Sequence, residues 1–458
     1  MPEQPLGRRP APRGDTDPRR LAWRVLRAVD AEGSYANLVL SALLRDQALA
    51  PRDAALVTEL VAGTLRMRGL YDAVLAAAAD RPVARLDAPV LDVLRLGTHQ
   101  LLATRIPAHA AVATSVELTR AVVGHRPTGL VNAVLRAVSG HDRAAWVDRV
   151  APPYDQDPLG HLAVACSHPR WVVEQLHAAL DGDLSATEEL LGADNEPAPV
   201  TLVARPGLAA SHELAAPGTR SGRWSPYAVV LAGGDPGRLP AVREARAGVQ
   251  DEGSQLVAIA AAAAPVGGRD TTWLDLAAGP GGKAALLAAI GAQHGARLTA
   301  VERHPHRAGL VVQAVRGLPG TAVVVADATR SPLRDGAFDR VLLDAPCTGL
   351  GALRRRPEAR WRRSAAELAT LTALQRGLFD AALDAVRPGG VVTYAVCSPV
   401  LAETRDVVQA VLGAREDVEL LDASTVLPQV PDQHGPFVQL WPHRHGTDAM
   451  FIAQLRRR

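Results

Sequence analysis

Lysine occurs once in 458 residues, at Lys283, while every other basic site except the histidines is arginine. A chain that uses arginine throughout but keeps one compact ammonium marks a place where a planar guanidinium does not fit. Aromatics are only 3% of the residues, so small aliphatic side chains must fill the cores. There are three cysteines, Cys166, Cys347 and Cys397, far apart and without zinc spacing. An odd, sparse set suggests a reducing cytoplasm. No uncharged apolar run is long enough to span a membrane, and the alanines at 260–264 are too few and too weakly apolar. No signal peptide is evident. The net charge of +2 carries no global polyanion signature, although local basic patches remain open. What is present, 48% hydrophobic and 21% charged residues, suits a globular protein of two or three domains.

The most informative stretch is 272–303. Trp273 to Leu276 read as a short buried strand with Asp275 near its tip. Ala277 to Gly282 are small or turn-forming, so backbone can approach a ligand closely. Ala284 to Ile290 give an Ala/Leu helix, and Leu298 to Val301 a second strand ending in Glu302. Strand, glycine-rich turn, helix, strand, acid is the layout of a nucleotide-moiety site on a parallel sheet. Turn amides would face the ligand and the acid would take ribose hydroxyls. A phosphate-cradling P-loop needs Gly at 277 and Ser or Thr at 284; both are alanine.

Along the chain, residues 1–17 are rich in Pro, Gly and Arg and read as a disordered basic arm. Residues 18–140 read as helical throughout, from Leu21, Val25, Leu26 and Val29 to a capped helix at 128–136 that closes the domain. Residues 141–247 are mixed, with a helix at 171–180 and a strand ending near Arg205, and suggest a small α+β module. Cys166 lies there in an apolar run and reads as a buried structural thiol. Residues 248–458 alternate strand and helix, which implies a mostly parallel sheet with helices on both faces and ligands at the carboxyl ends of the strands. Asp275, Glu302, Asp327, Asp344, Cys347 and Cys397 all fall at such ends.

Two of these are cysteines at strand tips on one side. A thiolate can add to C6 of a pyrimidine, which makes the otherwise inert C5 nucleophilic enough to take a methyl group. The ligand of the glycine-rich turn would then be a methyl donor whose adenosine lies against Glu302.

The helical stretches "DAALVTELVAGTLR", "LRLGTHQLLATRIPAHAAVATSVELTR" and "GLVNAVLRAV" resemble a NusB-type RNA-binding domain. Residues 248–458 resemble the NOL/NOP/Sun family of RNA cytosine-C5 methyltransferases, and the whole chain resembles its bacterial RsmB-type members. "DLAAGPGGKA" resembles D-x-C-A-A-P-G-G-K-T, "DAPCTGLG" resembles D-x-P-C-S-G-x-G, and "RRRPEARWRR" resembles R-R-x-P-D-x-x-W. "YAVCS" resembles Y-x-T-C-S, and "PHRHGTDAMFIAQLRR" resembles the terminal P-x-x-x-G-x-D-G-F-F block. Ala277 and Ala284 depart from Cys and Thr in the first block, and Asp448-Ala449-Met450 from Asp-Gly-Phe in the last.

The resemblance implies an α/β Rossmann-like methyltransferase domain at 248–458. An all-α NusB-like domain and a small linker module would precede it. It implies S-adenosylmethionine as cofactor, held by Ala277, Ala278, Gly279, Pro280, Gly281, Gly282 and Lys283 with Glu302, Arg307, Asp327 and Asp344. Glu302 matches the ribose-binding acid and Asp327 the adenine-side acid. Cys397 matches the nucleophile, Cys347 the residue that helps release product, Asp344 a contact to the cytosine edge, and Lys283 a group approaching donor or base. The presence of both cysteines favours the RNA class, because DNA cytosine methyltransferases use the Pro-Cys cysteine. The implied substrate is RNA, foremost 16S rRNA; tRNA and a non-catalytic role in RNA binding or ribosome assembly are the alternatives. The basic run Arg354, Arg355, Arg356, Arg360, Arg362 and Arg363 around Trp361 would grip the RNA backbone and stack a base.

Overall fold

The computed structural model describes residues 17–458 except 48, 331, 332 and 434. All but the last residue of the expected basic arm lies outside that set; Asp17 caps the first helix, accepting from Arg19 N at 3.0 Å. The chain forms two units, one reaching up to Val173 together with Arg356–Trp361, the other made of Glu174–Arg355 and Arg362–Arg458. Residues 141–247 are therefore divided between them.

The first unit is helical, as its unbroken 3.6-residue periodicity requires. Leu21, Val25 and Leu26 of the helix Pro18–Glu32 pack with Leu60, Val61 and Leu65 of Pro51–Arg66 and with Val93, Leu94 and Leu96 of Ala88–Ala103. Beside this core lies a charge network. Arg95, 5% exposed, reaches Asp72 at 2.7 Å, Asp30 at 2.9 Å and Asp92 at 3.2 Å, and Arg27 and Arg68 close it from outside. The helix Thr128–Val138 has no capping side chain, because Pro127 occupies its N-cap. Nor does it end the unit, since Arg143–Val150 and Pro158–Ala165 follow it. Cys166 is half-buried at the end of that last helix.

The segment Arg356–Trp361 belongs to this helical unit. Glu358 accepts from Ala36 N at 3.1 Å, at the start of the helix Ala36–Asp46, and Arg360 is fully buried and donates to Ser167 O at 3.0 Å. The Trp361 ring covers Gly69 so closely that a Cβ there would lie 2.4 Å from it.

The second unit holds two sheets. Strands β1 (Thr201–Ala204), β2 (Arg220–Ser221), β3 (Ala228–Val230) and β4 (Ala247–Val249) form an antiparallel sheet in the order β2-β3-β1-β4. The larger sheet contains β5 (Thr272–Asp275), β6 (Arg297–Glu302), β7 (Thr321–Val325), β8 (Phe338–Asp344), β9 (Val386–Val396), β10 (Val418–Leu421), β11 (Val438–Gln439) and β12 (Phe451–Arg457). Its order is β10-β12-β9-β8-β5-β6-β7, with β11 paired to β12. From β9 to β7 all neighbours are parallel; β12 runs antiparallel between β9 and β10.

Both faces are covered, as near-continuous hydrophobic strands demand. On one face Trp273, Leu342 and Ala395 meet Leu256 and Ala260 of the helix Glu252–Ala263 and Leu286 and Ala289 of Gly282–Gln293. On the other, Leu274, Val341, Leu343 and Tyr394 meet Phe379 and Leu383 of Ala365–Ala385 and Val407 and Val411 of Arg405–Ala414. The end of the sheet away from the site is pinned by Asp339. Its fully buried carboxylate accepts from Thr271 N and Thr272 N at 2.8 Å, and from Arg269 at 3.0 Å and Arg387 at 2.6 Å. Burial alone would raise its pKa; those donors outweigh burial and hold it well below the usual carboxylate range. The clamp fixes β5 against β8, and with it the register at their far ends.

Candidate active site

β5 ends at Asp275, and the chain turns through 276–281 into the helix Gly282–Gln293. Ala277 N donates to Asp275 at 3.3 Å and Ala278 N to Val301 O at 2.8 Å, so these two amides are engaged inside the protein. The expectation that they face a ligand is corrected: the turn's remaining donors are the glycine amides, since Pro280 has none. The Gly279–Pro280 bond is cis. Gly279 passes so close to Glu302 that a Cβ would lie 2.0 Å from Oε2. Arg307 ties the two together, donating to Gly279 O at 2.6 Å and lying 3.6 Å from the Glu302 carboxylate. Glu302 is 4% exposed and also accepts from His304 N at 2.8 Å. Gly279, Glu302 and Arg307 are thus one cluster at the tips of β5 and β6.

Asp275 is fully buried, and its Oδ2 has no partner among the described residues. Burial foremost, then the charge of Asp344, pushes its pKa up to about 7. The folded state therefore keeps a proton that the unfolded chain releases from about pH 4, and stability falls as pH rises from there through about 7. The loss above neutrality is up to roughly 4 kcal/mol. Asp275→Asn keeps the acceptor for Ala277 N and abolishes the titration. We expect its melting temperature, relative to the parent chain, to improve from pH 5 to pH 8. Parallel profiles would refute the assignment.

Across from the turn, Lys283 Nζ meets Asp344 Oδ2 at 2.8 Å. Burial alone would lower the lysine pKa, but the charges of Asp344 and Cys397 raise it further, so the site holds a permanent ammonium. The lysine side chain is only 13% exposed, so its compact ammonium is held largely out of water beside the carboxylate.

The parallel register sets Asp344 opposite Ala395, so β8 and β9 leave the sheet side by side. Three residues past Asp344 and two past Ala395, the sulfurs of Cys347 and Cys397 lie 3.4 Å apart, both half-buried. Gly351 fits between them and the end of the chain, donating to Cys397 O at 2.9 Å and accepting from Ala449 N at 2.8 Å. A Cβ there would lie 2.1 Å from Ala449 O, so only glycine closes this loop. The hydrogen bond to Cys397, then burial, then the negative charges of Cys397, Glu403 and Asp344 raise the Cys347 thiol well above its ordinary pKa. The Cys347 thiol is therefore held in its protonated form.

Not every expected residue joins this group. Asp327 follows β7 and turns back on Thr329, accepting from its amide at 3.1 Å and its hydroxyl at 2.7 Å, with Arg303 at 3.6 Å. The basic run is not a free stripe. Arg354 donates to Gly446 O at 2.9 Å, Arg355 pairs with Asp251 at 2.6 Å and Asp448 at 3.2 Å, and Arg360 is buried. With the Trp361 ring on Gly69, the expected base-stacking platform is corrected to a packing element. Glu403 was missed. It reads as the start of a helix, but it closes a 3-10 turn at Leu401–Glu403 and accepts from both Thr348 and Ser398, the residues after each cysteine.

A family model described as 16S rRNA methyltransferase RsmB/F matches residues 264–456, and the NusB family model matches 16–140. A Mycobacterium tuberculosis protein with a provisional methyltransferase name is 53% identical over 99% of both chains. Ribosomal RNA small subunit methyltransferase B of Pseudomonas putida is 32% identical, with 96% of this chain and 98% of that one covered. Among solved structures, PH0851 superposes with a TM-score of 0.77 at 21% identity, covering 97% of this chain and all of the other. NSun6 from Pyrococcus horikoshii, crystallised with SFG, gives 0.53 at 16% identity over 63% of this chain and 98% of its own. At these identities the structural likenesses speak for the fold. By sequence the chain belongs to the RsmB/Sun family of RNA methyltransferases, with a NusB domain in front of the methyltransferase domain.

Proposed function

We propose that this protein methylates C5 of a cytosine in small-subunit ribosomal RNA, using S-adenosylmethionine and a covalent bond between Cys397 and C6 of the base. The observation that carries the reading is the pair of sulfurs 3.4 Å apart beside the Lys283–Asp344 pair and the glycine-rich turn. A simple N- or O-methyltransferase has no use for two adjoining thiols.

S-adenosylmethionine, when bound, supplies the methyl group. The residues fit it: Glu302 offers carboxylate oxygens at a strand tip, and the turn offers glycine amides. Asp275 contributes a buried oxygen without a partner among the described residues. Cys397 Sγ adds to C6, and the electron pair moves into the ring toward C5. Lys283, kept charged by Asp344, stabilises the thiolate and the charge that develops on the base. Asp344 also meets the base edge as a hydrogen-bond acceptor. After C5 has taken the methyl group, its remaining proton passes to solvent water, the C5–H electron pair re-forms the C5–C6 double bond, and the C6–S bond breaks with its pair leaving on Cys397 sulfur. Cys347, held protonated next to the leaving sulfur, assists that release.

Mapping 5-methylcytosine in RNA from a strain lacking the gene tests the reading. One small-subunit rRNA cytosine should lose its methyl group and regain it on complementation; an unchanged rRNA map with a changed tRNA position would replace the substrate. Glu302→Ala tests the cofactor. Loss of a charge-assisted acceptor costs roughly 1.5–3 kcal/mol per bond. S-adenosylmethionine binding measured by calorimetry should weaken about tenfold or more. An unchanged Kd in a folded variant would remove Glu302 from the cofactor site.

A further inference from the structure

Glu403 is fully buried, and its carboxylate collects four donors. Oε1 accepts from Thr348 N at 2.7 Å and from Gln375 Nε2 at 3.1 Å. Oε2 accepts from the hydroxyls of Thr348 at 2.5 Å and Ser398 at 2.6 Å, and those hydroxyl oxygens lie 3.1 Å apart. Gln375 also donates to Pro346 O at 2.9 Å. Cys347 is thus gripped on both sides, at Pro346 and Thr348, and Cys397 is gripped at the next residue, Ser398. Glu403 itself is locked in place: its carbonyl accepts from Tyr394 Oη at 2.7 Å and its amide donates to Val400 O at 2.9 Å.

Burying an ion is expensive, several kcal/mol even when it is paired. No cation accompanies this one among its hydrogen-bond partners. Neutral side chains could close two loops at less cost, so the position of the charge calls for another reason. Each cysteine is one residue from a group bonded to this carboxylate, and its negative charge contributes to keeping Cys347 protonated.

We propose that Glu403 is the positioning residue of the cysteine pair, holding the two loops at the sulfur spacing that adduct formation and release require. The proposal rests on reading Cys397 and Cys347 as the reacting pair. Glu403 touches neither base nor donor; it acts through Thr348 and Ser398.

The test uses the full chain carrying Glu403→Ala or Glu403→Gln, with phenylarsine oxide as a spacing probe. One arsenic condenses with two neighbouring thiols, forming two As–S bonds and releasing water, so tight capture requires both sulfurs within reach. The parent protein should bind one equivalent tightly, and Cys347→Ala should lose it. Glu403→Ala should weaken capture by at least tenfold and lower kcat by roughly a hundredfold, the scale of a misplaced reacting group. KM for RNA and the Kd for S-adenosylmethionine should stay within about threefold. Glu403→Gln should fall between, since its carbonyl still accepts from Thr348 N while its NH2 meets two hydroxyls. If Glu403→Ala does not fold, Glu403→Gln decides alone. Unchanged arsenical capture and unchanged kcat would overturn the proposal. So would a parallel loss of donor binding in both variants, which would mark Glu403 as a general structural residue. If arsenical capture depends on Glu403 but the parent protein methylates no cytosine, the positioning role stands and the assigned reaction falls.

Discussion

Cys397→Ala abolishes methylation and leaves S-adenosylmethionine binding intact: this is the largest effect we expect. The argument is chemical. C5 of cytosine does not attack a methyl group unaided, and removing the nucleophile removes the route rather than slowing it. Losses of several orders of magnitude follow when a nucleophile is deleted from a group that acts as a unit. The alanine occupies a half-buried position whose backbone carbonyl still accepts from Gly351 N, so the loop should hold. Donor affinity by calorimetry and the melting temperature check that it does. Residual turnover within tenfold of the parent chain would show that Cys397 is not the nucleophile.

Cys347→Ala should do the opposite to the adduct. Cys397 can still add to C6, but the protonated thiol 3.4 Å from it is gone, and release slows. A protein–RNA species that survives denaturing electrophoresis should therefore accumulate, only when both RNA and donor are present, and vanish in the double variant. If Cys347→Ala turns over fully while Cys397→Ala traps RNA, the two roles are exchanged.

The glycine-rich turn, the helix after it and the acids at strand tips were legible in the sequence because each is a local event. A run of apolar residues, a cluster of small ones and a change of period fix them within about 30 residues. The two helix-covered faces followed from the alternation of strands and helices. The meeting of Cys347 with Cys397 was legible only through the shared side of the sheet; the register of β8 against β9 supplies the distance. Glu403 was not legible at all. It lies 55 residues from Thr348, and a carboxylate at the head of an apparent helix ordinarily faces water. Arg360 misled for the same reason. An arginine in a basic run reads as solvated, and its burial against Ser167, 193 residues away, depends on packing that no local pattern reports. Asp327 was placed at the right strand end, but a side chain that can bond its own Thr329 needs no neighbour to be satisfied.

The Arg95 network of the helical unit bears on what ionic strength can do to this protein. Arg95 and Asp92 are nearly out of solvent, at 6% and 2% side-chain exposure, and mobile ions do not reach between them. Contacts between exposed arginines and phosphates are of the other kind, and each one made by displacing a counterion is lost as salt rises. Salt that strips RNA from this protein therefore leaves the interior ion pairs of its helical unit in place. A salt titration can then separate release of the nucleic acid from loss of the fold.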